Sequence, residues 1–140
     1  MSSTLSYADT SRWPLVRLRW PAREPTKEAF ERTYDDLAAV LGDGPLVVLV
    51  TFADRHPHFS ASQRAQIAEF IERHKALLEA NCKGLAIVST EADARGLVTA
   101  LNWRSQAPFQ RGMFPTLKAA HDWLRERWGH FVGGSLELPG

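Results

Sequence analysis

Cysteine is nearly absent: Cys82 is the only one in 140 residues, so no internal disulfide can form and stability has to come from a packed core. A dominant charge is missing as well. Seventeen Lys and Arg stand against sixteen Asp and Glu, with the signs mixed along the chain, so there is no basic stripe for a nucleic-acid backbone and nucleic acid is not an expected partner. Long hydrophobic runs are lacking too. The longest strongly apolar stretch, Leu46 to Ala53, falls far short of the roughly 20 residues a membrane helix needs, so no membrane span is expected. The start, Met1-Ser2-Ser3-Thr4-Leu5-Ser6-Tyr7, has neither a basic nor an apolar leader section, which makes the cytoplasm the expected location. Finally, there is no Gly-rich phosphate loop, nucleophile elbow or paired-carboxylate signature, so neither a cofactor nor catalysis is expected.

What is present is an alternation of strand and helix signals. The chain centres on Pro45 to Asp54, whose continuous β-branched and aromatic run reads as a strand buried on both faces. It leads through Arg55-His56-Pro57-His58-Phe59 to Ser60, an expected helix N-cap, with Gln63 placed to complete a capping box. Before it, Leu15 to Trp20 alternates as a half-exposed strand, with Val16, Leu18 and Trp20 on one face and Leu15, Arg17 and Arg19 on the other. Thr26 is placed to cap a helix carrying Phe30, Tyr34, Leu37 and Leu41, with Gly42 in the C′ position.

After the central strand, residues 61–80 read as one helix with Ile67, Phe70, Ile71, His74, Leu77 and Leu78 inward. Residues 82–90 read as a second apolar strand, 91–103 as a third helix and 109–114 as an edge strand. Thr116 then caps a last helix with Leu117, Ala120, Leu124 and Trp128 in register. Residues 1–12 form an N-terminal segment able to supply a short edge strand, and 129–140 a loose Gly-rich tail in which Phe131, Val132 and Leu136 could dock. The expected architecture is therefore a single α/β domain, with a mainly parallel sheet of four to five strands alternating with four helices.

Two stretches carry a family resemblance. One is Met113-Phe114-Pro115-Thr116-Leu117-Lys118-Ala119-Ala120-His121-Asp122-Trp123-Leu124, and the other is the hydrophobic strand ending in Asp54 with its loop and Ser-capped helix. Over residues 13–128 the chain resembles the STAS-like domains, the fold of anti-sigma-factor antagonists and of the cytoplasmic domains of sulphate transporters, and in particular their small stand-alone bacterial members. The resemblance implies a regulatory module that binds a protein partner or senses a ligand without catalysis. One departure stands out: phosphorylated antagonists carry Asp-Ser-Ser/Thr-Gly after this strand, whereas here a longer loop ends in Phe59-Ser60-Ala61-Ser62 without the glycine. Phosphorylation of Ser60 or Ser62 stays open, and a helix N-terminus would favour a phosphate there.

The candidate site residues are Asp54, Arg55, His56, His58, Ser60 and Ser62 after the central strand, with Ser89, Thr90 and Arg95 after the next one. In a parallel sheet both groups fall on the carboxyl edge, where open α/β proteins bind. The first reading is a non-catalytic domain that engages a protein partner there. A second is a small anionic or amphipathic ligand held between helix N-termini, with Arg95 as counter-charge. A third is an enzyme or metal site using His56 and His58, with Asp54 as a further ligand. Against these stand plainer roles, in which Asp54 bonds the following turn and Ser89 and Thr90 act only as caps. The Trp13 and Trp20 flanks of the first strand leave room for a homodimer through that edge.

Overall fold

The computed structural model describes residues 5–90, 92–93, 109–134, 136 and 138. Five strands form one sheet in chain order: β1 (Ala8–Arg12), β2 (Leu15–Trp20), β3 (Leu46–Phe52), β4 (Cys82–Val88) and β5 (Arg111–Phe114). β1 folds back antiparallel on β2, and every other pairing is parallel. Four helices accompany the sheet among the described residues: α1 (Lys27–Val40), α2 (Ala61–Arg73), α3 (Lys75–Asn81) and α4 (Leu117–Phe131). The expected helix over 91–103, and with it Arg95, lies outside the described residues apart from 92–93.

The alternation of β3 explains the layering. Leu46, Val48, Val50 and Phe52 point into one core with Phe30 and Leu37 of α1, Leu41 at the α1 C-cap, Ile67 and Ile71 of α2, and Leu78 of α3. Val47 and Leu49 point into a second core with Leu15, Ala86 and the α4 residues Ala120, Leu124 and Trp128. Burial of all five residues from Leu46 to Val50 makes β3 the central strand that its composition predicts. The helix starts also agree with the sequence: the Thr26 hydroxyl accepts from the Ala29 amide, and the Thr116 hydroxyl accepts from the Ala119 amide.

Five local expectations are corrected. β2 is not half-exposed, because α4 covers its second face: Leu15 is fully buried and Arg17 half-buried, leaving only Arg19 in solvent. The single helix over 61–80 breaks at His74, whose φ of −105° and ψ of 20° end α2 before α3 resumes; the shift keeps Leu78 in the core and turns Leu77 out. Leu117 sits in the exposed first turn of α4, and His121, not anticipated as core, is buried in its place. Gly42 follows the α1 cap at Leu41, but the left-handed turn residue is Gly44, with φ of 132°. In the tail, Leu136 is buried in the second core, whereas Phe131 and Val132 stay exposed.

Candidate functional site

Parallel register brings the carboxyl ends of the strands together. Trp20 lies beside Phe52 and Val88 beside Phe114, so the chain leaves β3 and β4 at the same edge of the sheet. The segment after β3 is held there at three points. The Asp54 carboxylate accepts from the His56 amide at 3.0 Å and from the His58 Nε2–H at 2.8 Å, closing a tight turn. Phe59 inserts into the first core, edge-on to Trp20 with ring centroids 4.9 Å apart. Between these anchors, the buried Ser89 hydroxyl donates to the Arg55 carbonyl at 2.7 Å.

Arg55 itself adopts φ of 71°, a left-handed conformation that a residue with a Cβ occupies at a cost. The Ser89 bond and the Asp54 turn hold the backbone in it, and the guanidinium is left at the exposed tip. Beyond Phe59, Ser60 starts α2 with both halves of the capping box: its hydroxyl accepts from the Gln63 amide and Gln63 Oε1 accepts from the Ser60 amide, each at 3.1 Å. Gln63 adds a link that sequence reasoning missed, since its side-chain amide donates to the Pro25 carbonyl at 2.9 Å and ties the start of α2 to the segment leading into α1. Ser62 stays exposed on the first turn.

The two histidines do not converge. His58 is held by Asp54, while His56 Nδ1 lies 3.2 Å from Oδ1 of Asp93, a residue the sequence reading did not select. The signal for Asp93 was the Thr90-to-Asp93 spacing: the Thr90 hydroxyl accepts from the Asp93 amide at 3.2 Å and positions that side chain. Among the described residues, no three His, Cys, Asp or Glu side chains are placed to hold one metal ion. Hydrogen bonds from the His58 side chain, and then from the His56 amide, draw the Asp54 carboxyl below the ordinary carboxylate range. Its ionised form therefore fixes the His58 ring with Nε2 as the donor.

The plainer roles account for the hydroxyls. Ser89 bonds Arg55, Thr90 bonds Asp93, and Ser60 accepts from Gln63, so among the described residues none of these three hydroxyls is paired with a histidine base. Cys82 is buried at the start of β4, and burial pushes its thiol up to about 12. What this edge offers is a set of hydrogen-bonding groups on a braced backbone: Arg55 and His56 exposed at the tip, His58 partly exposed beside Asp54, and Ser62 exposed on the adjoining helical turn. Compared with family models, curated proteins and solved structures, the chain finds no match.

Proposed function

We propose that this chain is a non-catalytic, STAS-like regulatory domain of the cytoplasm that binds a protein partner through the 54–62 loop and the start of α2. The bond from Ser89 to the Arg55 carbonyl carries this reading, because it spends a buried hydroxyl on holding an exposed loop tip in a strained conformation. Phe59 and the Ser60–Gln63 capping box extend the same support, so the surface is largely preorganised and little ordering entropy opposes association. The pairing of His56 and His58 with different carboxylates, and the use of Ser60 as a cap, favour recognition over nucleophilic chemistry. No helix among the described residues is long and apolar enough to cross a membrane, in keeping with a domain that meets its partner in solution.

The test is quantitative capture from host lysate with immobilised wild-type chain and with the Arg55→Ala/His58→Ala/Ser62→Ala variant, followed by titration of the purified captured protein. The reading expects a defined protein on the wild type, lost on the variant while thermal stability is nearly unchanged. Equal capture by both chains would contradict it.

A further inference from the structure

The helix α4 crosses the second face of the sheet and leaves Arg19 of β2 in solvent. Ala120, Leu124 and Trp128 point down into the second core, and Trp123 turns toward β5, where its ring lies 5.4 Å from that of Phe114. His121 and Arg125, one turn apart, therefore lie on the opposite flank of α4, the one toward β2. The residues on the same face of the neighbouring strands are Arg17 and Arg19 on β2, with Asp9 of β1 paired opposite Arg17.

Charge does not balance here. Asp9 is shared by Arg17 and Arg19, and Asp122 by Lys118 and Arg125, so four cations stand against two carboxylates. Hydrogen bonding does not balance either. His121 is only 4% exposed, and among the described residues it makes no hydrogen bond or ion pair, although Arg17, Arg125 and Asp122 all act on it electrostatically. The Arg17 Nε–H is likewise buried and unpaired, while Nη2 of the same guanidinium donates to Asp9. Two buried polar groups without partners are costly, and a ligand rich in acceptors relieves both. A phosphate group fits these conditions: its charge of about −1.5 to −2 matches the cationic excess, and its oxygens accept from several guanidinium and imidazole donors at once. A carboxylate would leave part of that excess uncompensated. The side chains of Arg19 and Arg125 are 57% and 46% exposed, so they can rearrange around an anion without disturbing the core.

We infer that the surface between the α4 flank and β2 binds the phosphate group of a small phosphomonoester, with His121 and Arg17 beneath it and Arg19 and Arg125 closing over it. This inference stands independently of the partner proposed for the 54–62 loop.

The experiment is a titration of the isotope-labelled full chain at mildly alkaline pH, read by NMR at the backbone amides and at the His121 ring. Its probes are methyl phosphate and inorganic phosphate, compared with sodium chloride at equal ionic strength. Saturable shifts centred on Arg17, Arg19, His121 and Arg125 are expected for methyl phosphate and none for chloride. Arg125→Gln is expected to bind about tenfold more weakly, and Asp122→Asn more tightly, because the latter frees Arg125 and removes a repelling charge. Both positions are exposed, and an unchanged thermal midpoint in each variant shows that the fold persists. Absence of saturation, an equal response to chloride, shifts centred elsewhere, or wild-type affinity in both variants overturns the proposal. Binding of inorganic phosphate without methyl phosphate overturns the phosphomonoester and assigns the surface to the free ion.

Discussion

The Ser89 hydroxyl donates to the Arg55 carbonyl across 2.7 Å and so joins two segments that lie 34 residues apart. Both belong to the carboxyl edge of the sheet, and the bond makes them one surface. Ser89 →Ala is expected to leave that carbonyl without its partner and to lower stability by about 1–2 kcal/mol. Amide hydrogen exchange should rise at Arg55, His56 and His58 well before it rises in β3, which distinguishes local release of the loop from general weakening.

Arg55 offers a way to separate stability from recognition. Its φ of 71° is strained for arginine and free for glycine, so Arg55→Gly is expected to be neutral or to stabilise by up to about 1 kcal/mol in chemical denaturation. The same change removes the guanidinium from the loop tip and should abolish partner association. A variant that binds normally would assign the strain to the backbone alone.

The capping box at the start of α2 should behave as a unit. Ser60→Ala removes the acceptor for the Gln63 amide and is expected to cost about 1 kcal/mol, with Ser60→Gly costing less. Gln63→Ala should cost more than a simple cap residue, since it also releases the Pro25 carbonyl. Denaturant midpoints of the three variants check the order.

Acid sensitivity should centre partly on His121. It is buried in α4, and that burial, reinforced by Arg125 and by Arg17 of β2, holds its pKa below the ordinary histidine value, with Asp122 opposing. The unfolded chain therefore binds a proton more readily than the folded one. This contribution to stability is complete above the unfolded value of about 6.5 and is lost as pH falls through the lower folded value. The partly buried His74 is shifted in the same direction. A volume-matched neutral variant, His121→Gln, is expected to flatten the decline in thermal midpoint between neutral and mildly acidic pH.

The sequence made the local determinants readable. Thr26, Ser60 and Thr116 are caps because each hydroxyl needs only an amide three residues ahead, and β3 was visible because an apolar run in a short segment has no other place than the centre of a sheet. Contacts that depend on packing were not readable. His56 was grouped with His58 by spacing, but the sheet order brings Asp93 to His56 and leaves His58 to Asp54. Leu77 and Leu117 fit helical stripes, yet the break at His74 and the exposed first turn of α4 direct them into solvent. Phe59 looked like a loop residue and is instead the pin that fixes the loop to the core.

The most direct test of the account is the affinity of the purified captured partner for four chains: wild type, Arg55→Gly, Ser89→Ala and the Arg55→Ala/His58→Ala/Ser62→Ala variant. Calorimetry should show association lost in the triple variant and in Arg55→Gly, although Arg55→Gly is at least as stable as wild type. Ser89→Ala should bind more weakly with a larger entropic penalty, because the loop must now be ordered on binding. Wild-type affinity in all four would contradict the assignment of the 54–62 edge as the recognition surface.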